Sequence, residues 1–251
     1  MLSKSIIQHI NKLGQKKVRS EECEFIIEGV KGVGEALESD LEVLLLVVEG
    51  NRRDEKDLAD LIKLAENRDV PVEFCGRKEV DDIKTTDTFP GVLAIVEQSE
   101  IELGDLEGNI ICLDGVKDPG NLGTIIRTAD WFGIKNIILA EDCVDPYNPK
   151  VVRSTMGSIF RVNIFESEKI VRDLEHLKKA GYKLNGLVMN GTSLDKLKPG
   201  KNEVYILGSE SHGIRPEVEK LLDKKYTIPG SGNAESLNVA VATGILLSKI
   251  I

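Results

Sequence analysis

The chain is poor in the residues that most often mark a redox or metal site. Its 251 residues hold four cysteines, Cys23, Cys75, Cys112 and Cys143, with no CxxC pair and no histidine cluster beside them. That spacing argues against a zinc site and suits a reducing, cytoplasmic setting. Histidines number three. His212 has no serine or carboxylate partner that sequence can place, so it reads as a loop residue rather than a general base. Long hydrophobic runs are missing too: nothing approaches the ~18 apolar residues of a membrane span, and Met1 to Ile10 lacks the apolar core of a signal peptide. A soluble intracellular protein without a membrane partner is the expectation. Excess positive charge is absent, the net charge being -9. This excludes a protein that coats nucleic acid nonspecifically but leaves room for a local basic patch.

Such a patch stands at the start. The first twenty residues carry Lys4, Lys12, Lys16, Lys17 and Arg19 with no acid, although residues 1 to 100 together hold 14 Lys and Arg against 22 Asp and Glu. Either a basic arm for RNA or a solvated first helix would look this way. Behind it, apolar runs alternate with helical periods. Phe25 to Ile27, Val43 to Val48, Val70 to Phe74 and Val92 to Val96 predict strands, while Val30 to Leu37, Asp54 to Glu66 and a short stretch around Val80 predict helices. From Glu97 to Gly108 the apolar period is lost. A boundary near residue 100 follows, separating a small α/β domain (1–100) from a larger one (106–251).

The larger domain opens on Ile110-Ile111-Cys112-Leu113, an unbroken apolar run of the kind parallel sheets bury on both faces. Strands are expected again at Ile134 to Leu139, Tyr182 to Met189 and Val204 to Leu207. Helices are expected after Gly123, over Pro149 to Gly157, over Ser167 to Gly181 and from Leu237 to Ile251. This alternation predicts a mainly parallel sheet with ligands at the carboxyl ends of its strands.

Three stretches lie at such ends. In Asp118-Pro119-Gly120-Asn121-Leu122-Gly123, Pro-Gly makes a turn with Asn121 as candidate N-cap, and Arg127 follows on the helix among Ile125, Ile126 and Ala129. A guanidinium there calls for an anion; a salt bridge to Asp130 or Asp118 is the plain alternative. Leu207-Gly208-Ser209-Glu210-Ser211-His212-Gly213 is neither a P-loop nor G-x-S-x-G. Ile228-Pro229-Gly230-Ser231-Gly232-Asn233 is a glycine-bearing loop leading through Glu235-Ser236-Leu237-Asn238 into a helix apolar almost all round. Ser236 or Asn238 can accept from its first amides, and the helix itself reads as interior. A glycine loop on a buried helix N-terminus suits a polar cofactor.

In order and spacing the three stretches resemble the signature motifs of the SpoU/TrmH family of RNA ribose 2'-O-methyltransferases, in the SPOUT superfamily. The matches are Asn121-x-Gly123-x-x-x-Arg127, Gly208-x-Glu210-x-x-Gly213, and Ile228-Pro229 with Glu235-Ser236-Leu237-Asn238-Val239. Lys150 to Gly157, with Arg153, resembles the family's intermediate run, and Phe25 to Gly29 resembles the start of a small ribosomal-protein-like RNA substrate-binding domain. The resemblance implies an α/β methyltransferase domain with a C-terminal trefoil knot, which generic chain rules would reject. It implies a homodimer, and S-adenosylmethionine held by Leu207, Gly208, Gly213, Ile228 and Leu237. It also implies catalytic roles for Arg127, Asn121, Glu210, Ser236 and Asn238, RNA contacts from Lys12, Lys16, Lys17, Arg19 and Arg153, and no metal. Ribosomal RNA is the expected substrate, ahead of tRNA.

Two rivals come from other classes. A noncatalytic RNA-binding protein could keep the fold, although Arg127, Glu210, Ser236 and Asn238 are all present. A dinucleotide oxidoreductase is disfavoured because Gly29 to Gly34 reads G-x-x-G-x-G, the wrong order for that fingerprint.

Overall fold

A computed structural model describes residues 1–85, 88–209 and 211–251, which form two compact units. The first comprises Met1–Ser99 with Tyr147–Phe160, the second Glu100–Pro146 with Arg161–Ile251.

In the first unit, α1 (Lys4–Lys12) and α2 (Lys16–Glu22) precede β1 (Glu24–Glu28), α3 (Val30–Glu38), β2 (Val43–Glu49), α4 (Lys56–Asn67), β3 (Val72–Cys75), α5 (Arg77–Ile83) and β4 (Val92–Glu97). The sheet runs β1-β4-β2-β3, with β4 antiparallel to both neighbours and β2 parallel to β3. Leu58, Leu61 and Ala65 recur at helical spacing and form the buried stripe of α4. Tyr147–Phe160, which the sequence reading grouped with the later part of the chain, clusters here because Phe25 lies between its aromatics. The Phe25 ring centroid is 4.9 Å from that of Tyr147 and 6.3 Å from that of Phe160.

The second unit holds β5 (Ile110–Asp114), α6 (Pro119–Trp131) and β6 (Asn136–Leu139). After α7 (Pro149–Thr155), which lies in the segment grouped with the first unit, come β7 (Asn163–Glu166), α8 (Ile170–Lys179), β8 (Lys183–Ser193), β9 (Glu203–Gly208), α9 (Pro216–Glu219), β10 (Lys224–Thr227) and α10 (Val239–Ile250). Its six strands run β10-β8-β9-β5-β6-β7, and every neighbouring pair is parallel. The apolar residues of β5, Ile110 to Leu113, are fully buried. Covering each side chain of that size on both faces of the sheet contributes roughly 1.5–3 kcal/mol. From β5 the chain builds outward to β6 and β7 on one side and to β9 and β8 on the other. The switch point, where an open parallel sheet collects ligands, is therefore the carboxyl end of β5 and β9.

Several local expectations change. The strands β7 and β10 went unseen in the sequence, since each is a four-residue edge strand with polar residues in it and carries little periodic signal. Helix α6 begins at Pro119 rather than after Gly123, and its N-cap is Asp118, whose carboxylate accepts from the Asn121 amide at 2.8 Å; Asn121 is not the cap. Proline at the first helical position has a preset φ and no amide to satisfy, so it fixes the start. Helix α10 is not wholly interior. It buries Val239, Ala240, Thr243, Leu246, Leu247 and Ile250 but leaves Val241 52% exposed.

Candidate active site

The first and third motifs meet at two helix starts. Asn238 is the N-cap of α10: its Oδ1 accepts from the amides of Ala240 (2.9 Å) and Val241 (3.3 Å), as the sequence suggested. With that oxygen committed, its Nδ2 is left to donate, and it does so to Oδ1 of Asn121 at 2.9 Å. Because Asn121 sits in the first turn of α6 and not at its cap, its side chain is available for this bond. The two helices then run side by side, with Gly244 of α10 facing Thr128 of α6.

Arg127 lies on the exposed side of α6. Neither expected carboxylate reaches it: Asp130 is bound by Arg161 at 2.9 Å, and Asp118 is spent on the cap. Among the described residues Arg127 has no hydrogen-bond or ion-pair partner, so the salt-bridge alternative is corrected. An exposed, rigidly mounted guanidinium of this kind is free to take up an anion.

The second motif closes a tight loop. Gly213 N donates to Ser209 O at 2.9 Å, and the two residues form an antiparallel bridge. A Cβ at Gly208 would stand 1.9 Å from the Gly213 carbonyl carbon, so only glycine permits the crossing. Leu207 is buried in β9, Ile228 half-buried, and Leu237 46% exposed. Ser236 is exposed, like the rest of the loop from Pro229 to Asn238. Glu210 lies outside the described residues. His212 is exposed; its ring pairs with the hydroxyl of its neighbour Ser211 at 2.8 Å and its backbone amide donates to Ser209 Oγ at 3.3 Å, in keeping with its reading as a loop residue.

A cleft opens beside this loop, lined among others by Asp114, Lys117, Asp142, Ser209, His212 and Arg215. It contains a cluster that sequence reasoning missed. Arg215 donates Nε to Asp114 Oδ1 (2.6 Å), Nη1 to Glu141 Oε1 (2.7 Å) and Nη2 to Asp142 Oδ1 (2.6 Å), and its backbone amide reaches Asp114 Oδ2 (2.7 Å). Burial raises the pKa of Asp114 and outweighs the pull of Arg215. Burial works to lower that of Arg215, and the three carboxylates more than reverse it. The partners lie 73 to 101 positions from Arg215, so no local pattern points to them. Cys143 borders the cluster, donating to Leu113 O at 3.2 Å, and burial pushes its thiol up to about 11.

In the first unit Lys12, Lys16 and Lys17 are exposed, Lys17 standing 3.7 Å from Glu21. Arg153 is exposed and donates to Thr85 at 3.1 Å. Arg19 is corrected: it is 2% exposed and donates to the Leu13 carbonyl at 2.7 Å, bracing the turn between α1 and α2, so it is not open to RNA. All four cysteines are free. Among the described residues no helix is long and apolar enough to cross a membrane, and no group of His, Cys, Asp or Glu is placed to hold a metal ion.

Residues 108–248 match the SpoU rRNA Methylase family, and residues 4–94 the MRM3-like substrate binding domain. The chain is 31% identical over 237 residues to the 23S rRNA (guanosine(2553)-2'-O)-methyltransferase RlmP of Bacillus subtilis, covering 94% of this chain and 92% of that one. It is 30% identical to the 23S rRNA (guanosine-2'-O-)-methyltransferase RlmB of Acinetobacter baylyi, over 87% of this chain and 93% of that one. Among solved structures, the SpoU methyltransferase AviRb of Streptomyces viridochromogenes in complex with AdoMet superposes with a TM-score of 0.89 at 26% identity, covering 99% and 97% of the two chains. An AdoMet-bound rRNA methyltransferase of Sinorhizobium meliloti gives 0.85 at 32% identity, covering 100% and 95%.

Proposed function

The chain belongs to the SpoU rRNA methylase family, and on that footing we propose that it methylates a ribose 2'-hydroxyl of ribosomal RNA with S-adenosylmethionine as donor. The observation that carries the site is the Asn238–Asn121 bond, which draws the first and third motifs together on the helix that bears Arg127, a guanidinium with no partner among the described residues. The noncatalytic reading has no comparable support, because the relatives that match nearly the whole chain are named as methyltransferases.

The residues present fit the cofactor. Ile228 and Leu237 leave apolar surface open for an adenine, and Gly213, packed on Gly208, brings backbone to the wall of the cleft at the switch point. Bound there, S-adenosylmethionine supplies an already activated methyl group. The chain's own work is to hold the ribose in line and to exclude wrong geometries. Arg127 binds the phosphate next to the target ribose, a charge-assisted and planar contact. Its service as a base would need a proton lost from a group with a pKa above about 12, so we assign it positioning. Asn121 and Asn238 hold the two helix starts in register, Ser236 orients the hydroxyl, and Glu210 belongs to the same set by its motif. Lys12, Lys16, Lys17 and Arg153 supply RNA contacts from the first unit.

The active form is a homodimer, which would cover Val241 and Trp131, exposed by 52% and 85%. A knotted C-terminal segment, domains divided near residue 100 and a cytoplasmic location complete the proposal. Since the Bacillus subtilis and Acinetobacter baylyi relatives are named as 23S rRNA guanosine 2'-O-methyltransferases, that nucleoside is the first to test. Mapping 2'-O-methyl positions in RNA from cells with and without the gene should reveal one lost ribosomal site. An unchanged map, together with no transfer from labelled cofactor to rRNA fragments in vitro, would overturn the proposal.

A further inference from the structure

The loop of the second motif leaves and rejoins the sheet at one residue. Gly208, where it departs, pairs in register with Asp114 at the end of β5. Arg215, where it ends, bonds the same Asp114 carboxylate twice, through its backbone amide and through Nε. The rest of the guanidinium spans to Glu141 and Asp142, just beyond β6. Asp114 is only 3% exposed, whereas Glu141 and Asp142 are 40% and 48% exposed in their side chains. Four hydrogen bonds from one residue thus fasten the end of a short loop to two strand ends at the switch point. A buried carboxylate left without its partner would be strongly unfavourable, so the bond to Asp114 is the one the loop cannot relax away from.

We propose that Arg215 is a positioning residue for the cofactor: clamped by Asp114, Glu141 and Asp142, it sets where the Ser211–Ile214 backbone stands and so preorganises that part of the loop for S-adenosylmethionine. The inference rests on the functional reading above, which gives this loop to the cofactor. Preorganisation acts on affinity, because a loop already held in its bound geometry loses less freedom when the ligand arrives. Lysine cannot replace arginine here, since one ammonium cannot present the planar fork that reaches three carboxylates.

The test compares wild type with Arg215→Lys, and with Lys178→Gln as a stability control that breaks the 3.0 Å pair with Asp223 elsewhere in the unit. Calorimetric titration with S-adenosylmethionine should show affinity weakened about tenfold or more in Arg215→Lys, the loss expected when a charged hydrogen-bond set is broken. At saturating cofactor kcat should stay within about threefold and KM for RNA should not move, a split that a general loss of folding would not produce. Without cofactor, hydrogen exchange at the Ser211 to Ile214 amides should quicken. Lys178→Gln should lower the melting temperature and leave cofactor affinity unchanged. Unchanged affinity and exchange in Arg215→Lys, with wild type binding normally, would overturn the clamp alone. Wild type that binds no cofactor would overturn the functional reading and the clamp with it.

Discussion

The Nδ2 of Asn238 and the Oδ1 of Asn121 meet at 2.9 Å, joining side chains 117 positions apart. The bond gives Asn238 two separable duties, capping α10 and tethering α6. Serine caps nearly as well as asparagine, but its shorter side chain has one polar atom and, seated at the cap, does not reach Asn121 as the amide does. Asn238→Ser should therefore melt close to wild type while turnover falls, whereas Asn238→Ala should lose about 1 kcal/mol of stability as well. Thermal melts beside single-turnover methylation of an rRNA fragment separate the two duties; equal activity in wild type and Asn238→Ser would remove the tether from the mechanism.

Arg127 should matter to turnover and not to cofactor affinity. Arg127→Ala is expected to reduce the rate by on the order of a hundredfold or more, the usual effect of losing an orienting or charge-stabilising group. Arg127→Lys keeps the charge but loses the planar fork, and it should fail as well. Cofactor titrations run alongside should show little change in either variant. A near-normal rate in Arg127→Ala would take the residue out of the site.

If the exposed Val241 lies in a subunit interface, a charge there should weaken it. Val241→Glu should shift the protein toward monomer in light scattering and lower activity together with the dimer fraction, because an unpaired carboxylate at a buried interface costs several kcal/mol. A variant that stays dimeric and active would place the interface elsewhere.

Removal of the N-terminal stretch should do more than weaken RNA binding. A chain starting at Glu100 keeps Tyr147 and Phe160 but loses Phe25, whose ring lies against both. It should bind cofactor, bind RNA poorly and aggregate more readily than the whole chain, with Tyr147→Ser restoring some solubility. Solubility and RNA affinity of the truncation match those of the full chain if this is wrong.

Thiol chemistry should follow burial. Cys75 and Cys143 are each pushed up to about 11 by burial, and Cys112 is held well above the usual thiol value for the same reason. Raised values mean that folding favours the protonated thiols. Their stability contribution is complete below the ordinary thiol pKa of about 9 and is lost as pH rises through about 11. At pH 8 a maleimide should label the half-buried Cys23 first, the half-buried Cys143 more slowly because its thiol is held protonated, and the buried Cys75 and Cys112 only on unfolding, as read by mass spectrometry. Rapid labelling of Cys112 would contradict the burial of β5.

The parts of this protein written in neighbouring residues were legible without coordinates. The apolar run Ile110 to Leu113 announced a strand buried on both faces, and Ser236 and Asn238 before an apolar stretch announced a cap, which the structure gives to Asn238. The three motifs named a chemistry through their order. Where the sequence reading failed, short-range patterns were competing with partners far along the chain. Arg19 looked like part of a basic arm, and only the packing of α1 on α2 turned it inward onto the Leu13 carbonyl. Arg127 had two nearby carboxylates by spacing, but the fold gave one to Arg161 and the other to a cap. The Arg215 cluster left no trace in the sequence, since its carboxylates come from β5 and from the chain beyond β6. Local periods record which face of an element is buried; which strand ends become neighbours depends on the sheet order, and that is settled by burial over the whole unit.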